Sequence, residues 1–138
     1  MTEMTTILVG TDTTAAADLA VENAAGLARA RGAELLVLYV RPDSDLRAVV
    51  DPGRSPDPGG YLAHMHERFP DISMRTRTES GDPAETICEV AAEESADTIV
   101  IGNRGAQGGR WAVRDAVPTL VLRHAPCSVF IVDTRKAQ

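Results

Sequence analysis

Ile99-Val100-Ile101-Gly102-Asn103-Arg104-Gly105-Ala106-Gln107-Gly108-Gly109 is the stretch that decides how this chain folds. The apolar run at 98–101 has the make-up of a buried strand and passes directly into a glycine-rich loop. A helical run follows, starting near Asp115 and continuing through Leu122. The segment closes on Ala125-Pro126-Cys127-Ser128 and a last apolar strand, Val129-Phe130-Ile131-Val132. A glycine loop between a parallel strand and a helix start is where phosphate-bearing ligands usually bind, because bare backbone N–H groups and the helix dipole converge there. The rest of the chain reads as the scaffold that holds this loop.

Working outward, strand and helix signals alternate. Residues 6–10 form a short β-branched run ending in Thr11-Asp12-Thr13-Thr14, which supplies N-cap residues for an alanine-rich helix over 15–31. Within that helix Ala20, Ala24, Leu27 and Ala28 recur at helical spacing and face a sheet, while Asp18, Glu22 and Arg29 face water. Gly32 stands where a C-cap glycine belongs. Residues 34–40 are nearly continuous in apolar side chains, the pattern of a strand covered on both faces. From 41 to 60 the pattern dissolves into prolines, glycines and charges, predicting a long surface loop with at most a helical turn at 46–50. A short helix is predicted at 61–69 and an edge strand at 72–79, where polarity alternates. Asp82 caps and Pro83 opens a further helix that runs to about Ser95.

The sum is five strands with four helical connections. Such a pattern predicts an open, doubly wound α/β fold around a parallel sheet of order 3-2-1-4-5, with helices on both faces. Ligands bind such sheets beyond the carboxyl ends of the strands, where strand order reverses. That gathers Thr11, Asp12, Val40, Gly102 and Gly105 around one crevice, with Arg104 inside the loop.

Bulk properties narrow the functional classes. The 138 residues are read as one domain over 1–138. A formal net charge of −6 argues against general affinity for nucleic acid or anionic membrane, both of which need a basic surface. No run approaches the ~18 apolar residues of a membrane span, and the N-terminal residues lack a signal-peptide pattern, so a cytoplasmic location is expected. Cys88 and Cys127 read as reduced, largely buried thiols.

Four segments in order resemble the universal stress protein family. Ile7-Leu8-Val9-Gly10-Thr11-Asp12 is similar to its first strand and acidic turn, and Gly81-Asp82-Pro83-Ala84-Glu85-Thr86-Ile87 to the start of its third helix. Val100-Ile101-Gly102-Asn103-Arg104-Gly105 is similar to the head of its phosphate loop, and Val121-Leu122-Arg123-His124-Ala125-Pro126-Cys127 to its closing segment. The resemblance implies that Asp12 contacts the ribose or base region of a nucleotide. It also implies a homodimer formed through the last strand, Val129, Phe130, Ile131 and Val132, whose apolar open edge invites pairing.

The family's nucleotide-binding members carry G-x-x-G, nine residues, then G-[S/T]. Gly102 and Gly105 satisfy the first half, but the count from Ala106 to Arg114 arrives at Asp115 and Ala116, and Pro118 stands where the family has Ser or Thr. A carboxylate beside a phosphate at ~4 Å is repulsive by about 4 kcal/mol in a partly screened site. Ala116 removes a hydroxyl whose bond to a charged group is worth roughly 1.5–3 kcal/mol, and Pro118 has no N–H to donate. Asp115 is itself a good N-cap, able to replace a phosphate at the helix start. Against this, Arg104, Arg110 and Arg114 either supply compensating positive charge or lie on a solvated face.

Enzymatic signals are weak. His64 and His66 are two apart and point to different faces of a helix, and no nucleophile elbow, lysine-bearing P-loop or Cys-x-x-Cys pair is present. No catalytic or metal-ligating residue is nominated and no cofactor is expected; the alternative is ATP with Mg. The expectation is a non-enzymatic stress-response module that works through dimerisation and an unidentified protein partner, with a degraded nucleotide site. The alternative is an ATP- or AMP-binding regulator with altered phosphate contacts.

Overall fold

The run Thr6-Ile7-Leu8-Val9 forms the first strand, β1 (Thr6–Thr11), and takes the centre of the sheet. The computed structural model describes residues 4–41, 55, 57–103 and 117–134. After β1 come α1 (Ala15–Arg31), β2 (Glu34–Arg41), α2 (Pro58–Arg68) and β3 (Met74–Ser80). They are followed by α3 (Pro83–Glu93), β4 (Thr98–Gly102), α4 (Val117–His124) and β5 (Ser128–Val132). The five strands order as β3-β2-β1-β4-β5, every described pair parallel, as the alternation of elements predicts.

Period-two alternation divides each strand between two cores. Ile7, Val9, Leu35, Val37 and Val100 pack under α1 and α2, while Leu8, Leu36, Leu38, Ile99 and Ile101 pack under α3 and α4. The inner face of α1 is built from Ala20, Ala24, Ala25 and Ala28, small enough to bring helix and sheet close together. Thr14 caps its start, accepting from the Ala17 N–H at 3.3 Å. Gly32 ends it at φ 64°, a left-handed conformation that glycine adopts without penalty.

Several predicted boundaries shift. The helix expected at 61–69 starts earlier, because Asp57 accepts from the Gly60 N–H at 3.1 Å and Pro58 opens the first turn. This is the arrangement that Asp82 and Pro83 make at α3, where Asp82 accepts from Glu85 N–H at 3.0 Å. The loop expected over 41–60 therefore loses residues 58–60 to α2. Strand β3 begins at Met74, not Ile72, whose N–H instead closes a turn on Phe69 O at 3.3 Å. Helix α3 ends at Glu93 rather than Ser95, since Ser95 turns to φ 53° and breaks the helical run. The expected turn at 46–50 and the helix start near Asp115 lie outside the described residues.

The chain leaving β5 returns over the end of β4. Thr134 is 0% exposed and its Cγ2 fills the space beside Gly102. A Cβ at Gly102 would stand 2.8 Å from that methyl and 3.8 Å from both Ala16 O and Ala20 Cβ. The absent side chain at Gly102 thus lets Thr134 and α1 close onto the sheet.

Two measurements test this account. Gly102→Ala is expected to destabilise the fold by about 1–3 kcal/mol in urea unfolding, and adding Thr134→Ser, which removes only the clashing methyl, should recover most of it. Asp57→Ala should lower stability by about 1 kcal/mol, matching Asp82→Ala; no loss would show that Asp57 does not cap α2.

Candidate functional site

Strand order reverses between β1 and β4, so the crevice of interest opens beyond their carboxyl ends. The register Ile7↔Thr98 and Val9↔Val100, carried two residues further, sets Thr11 level with Gly102, and Thr11 pairs with Tyr39 of β2. Among the expected site residues, Thr11, Asp12 and Gly102 come to one end of the sheet. Val40 is buried in the core on the α3 and α4 face. Thr11 faces the opposite way, towards α1 and α2. Arg104, Gly105, Asp115 and Ala116 lie outside the described residues, as do Arg110 and Arg114. Pro118 is buried as the second residue of α4.

The turn from β1 into α1 is dense in side-chain hydrogen bonds. Asp12 Oδ1 accepts from the Thr14 N–H at 3.1 Å and the Thr14 hydroxyl at 2.5 Å. Asp12 therefore orients the residue that caps α1, and the N-cap itself is Thr14. Between them Thr13 adopts φ 70°, a left-handed conformation that a β-branched residue takes only under constraint, at about 1–3 kcal/mol. Both of its polar ends are tied. Its N–H donates to Thr11 Oγ1 at 3.0 Å, and its Oγ1 accepts from Ser55 N–H at 2.8 Å.

Sequence periodicity placed Asp18 on the water-facing side of α1 and Tyr61 at the head of a helix. The structure brings the two together. The Tyr61 hydroxyl donates to Asp18 and lies 3.2 Å from Thr11 Oγ1. Arg68 is 3.4 Å from the same Asp18 oxygen and 3.7 Å from Glu22. Burial first, then the bond to Asp18, pushes the phenol well above its ordinary range, so it stays a protonated donor. The hydroxyl-rich run 11–14 was the sequence signal for this cluster; nothing in helical spacing marked Tyr61.

Across the crevice, Asn103 Oδ1 accepts from both the N–H and the hydroxyl of Thr134, each at 3.0 Å. The Asn103 N–H donates to Val132 O at 3.0 Å. The first residue beyond β4 is thereby tied to the end of β5. Val132 is 5% exposed and packs in the α1 core, which corrects the expectation that all four residues of this strand face outward. Its place opposite Gly102 gives it room to turn inward. Val129 is half-buried, while Phe130 and Ile131 are 42% and 37% exposed.

Other candidate groups are dispersed. His64 pairs with Glu67 at 3.0 Å on the exposed side of α2, and no cluster of metal-ligating side chains occurs among the described residues. Cys88 and Cys127 are half-buried and not disulfide-bonded, and burial raises both thiols, the opposite of what an activated nucleophile needs. No helix among the described residues is long and apolar enough to cross a membrane.

Comparison with known proteins agrees with this fold. The model of the universal stress protein family matches residues 3–133. A universal stress protein of Mycolicibacterium smegmatis is 28% identical over 136 residues, covering 94% of this chain and 46% of that protein. One from Synechocystis sp. is 36% identical over 64 residues, covering 46% of this chain and 59% of the relative. The matches thus span about half the length of these curated relatives. Among solved structures, a universal stress protein in complex with cAMP superposes with a TM-score of 0.78 at 27% identity, over 96% of this chain and 99% of the other. A universal stress protein from Lactobacillus plantarum gives 0.75 at 26% identity, over the same shares. With the family's fold, strand order and near-complete sequence match all present, the chain belongs to the universal stress protein family.

Proposed function

We propose that this chain is a cytoplasmic regulatory module of the stress response, working as a single domain that forms a homodimer through β5 and contacts a protein partner. Its nucleotide site keeps the nucleoside end, at the turn holding Asp12, and has an altered phosphate end. No catalytic step is assigned to it.

The observation that carries this reading is the contrast between the two outer strands. β3 is dressed with charge: Arg75 pairs with Glu34 at 3.0 Å and Glu94 at 2.7 Å, and Arg77 pairs with Glu79, Glu93 and Glu94 at 2.7–2.9 Å. Partly exposed pairs contribute only about 0–1 kcal/mol each, so their main effect is to make strand addition at that edge unfavourable. β5 carries no such guard. Phe130 and Ile131 are exposed along it, and Leu122 of the neighbouring α4 is 60% exposed. Burying the part of such side chains that is still exposed against a second copy stabilises by roughly 1 kcal/mol each.

A second reading, an adenine-nucleotide regulator, is favoured by the Asp12 turn and by the similarity to a structure solved with cAMP. Pro118, in the first turn of α4, offers no N–H to a phosphate. Together with Asp115 and Ala116, a loss of about 4 kcal/mol takes a micromolar site to roughly millimolar.

Sedimentation equilibrium should give a dimer for the natural chain and a monomer for Phe130→Glu, with unfolding of the monomer changed by only about 0.5 kcal/mol. A natural chain that stays monomeric at high concentration rejects the dimer. For the nucleotide end, thermal unfolding with excess Mg-ATP should leave the natural chain nearly unmoved. The variant Asp115→Gly, Ala116→Ser, Pro118→Ser should gain about 2.7 kcal/mol at ~100 times its dissociation constant. Equal shifts in both would favour the nucleotide-regulator reading.

A further inference from the structure

We infer that Tyr61 is a positioning residue for the ligand turn: through Thr11 its hydroxyl holds Thr13 in the left-handed conformation that sets Asp12 for a nucleoside. The inference rests on the nucleoside reading of Asp12 proposed above and extends it to a residue on another element.

The direction of each hydrogen bond in the chain is forced. An ionised Asp18 carboxylate only accepts, so the Tyr61 hydroxyl donates its single hydrogen there. Tyr61 oxygen is then the acceptor for the Thr11 hydroxyl at 3.2 Å. With its own hydrogen engaged, Thr11 Oγ1 presents a lone pair to the Thr13 N–H at 3.0 Å. Arg68, 3.4 Å from Asp18, pairs with the carboxylate at the head of the relay. The order is therefore Thr13 N–H to Thr11, Thr11 to Tyr61, Tyr61 to Asp18.

A second tether acts from the same segment. Ser55 N–H binds Thr13 Oγ1 at 2.8 Å, two residues before Asp57 caps α2. The start of α2 thus grips Thr13 at both polar ends, directly through Ser55 and indirectly through Tyr61. Asp12 and Thr14 flank Thr13, and their mutual hydrogen bonds require the turn that Thr13 makes. Left unheld, a threonine at φ 70° returns to negative φ and carries Asp12 with it.

The test is Tyr61→Phe, which keeps the ring packed against the α1-side core and removes only the hydroxyl. Without ligand, amide exchange measured by NMR should show Thr13 losing protection about tenfold, while Val37 and Val100 are unchanged. Adenosine, which has no phosphate to meet residues 115–118, is the binding probe. Its calorimetric affinity should fall by about tenfold in Tyr61→Phe, stay unchanged in Arg31→Ala, and return when Thr13→Gly is added, since glycine adopts the left-handed turn unaided. Unchanged Thr13 protection, or loosened Thr13 with unchanged affinity, overturns the inference. Absence of adenosine binding by the natural chain rejects the nucleoside reading and the inference with it, a failure seen before any substitution is made.

Discussion

The placement of β1 at the centre of an all-parallel sheet constrains everything else in this fold. A strand with parallel neighbours on both sides and helices on both faces tolerates polar side chains only at its ends. Ile7, Leu8 and Val9 meet that limit and are fully removed from solvent. At about 2 kcal/mol each, they outweigh exposed ion pairs such as Arg29–Asp71. Thr11, Asp12, Thr13 and Thr14 then follow one another where the chain escapes the core. The polar turn at the candidate site is thus the far side of the requirement that makes the strand apolar.

Covering the two faces differently gives the molecule its asymmetry. On one side α1 lies close, its alanines and the bare Gly102 leaving space that Thr134 and Val132 occupy. On the other, α3 and α4 meet the sheet through larger side chains such as Ile87, Val90 and Val121. The close packing ties the exit of β5 to the exit of β4 through Asn103, joining the outer strand to the crevice by three hydrogen bonds. The space beside Gly102 is thus taken up by internal packing.

The sequence was informative where local rules act alone. Continuous apolar runs identified β1, β2 and β4, and Asp82-Pro83 identified the start of α3. Asp57-Pro58 obeys the same capping rule but is followed by Gly59-Gly60, which reads as a turn, so α2 was expected to start too late. Tyr61 escaped notice because its role depends on Thr11 and Asp18, distant in sequence and joined only by the packing of α2 on α1. Val132 faces inward because the residue beside it in the sheet is a glycine, a fact of register that strand alternation does not contain. Thr11, Asp12 and Gly102 come to one end of the sheet, as expected, because strand ends and order alone determine their place.

The burial of Thr134 beside Gly102 also bears on how the chain acquires its structure during synthesis. β1 and α1 are made before the rest of this sheet, so β1 obtains its β4 neighbour later and α1 its final cover only when residues 132–134 arrive. Such non-local closure is slow compared with helix formation, and it leaves an apolar strand with one unpaired edge until β4 is made. The alanine-rich helix limits that exposure, since it forms locally and shields one face of β1 before the sheet is complete. In this sheet the strand made first becomes the innermost, and the nascent chain must keep it from foreign partners until the second half of the sheet exists.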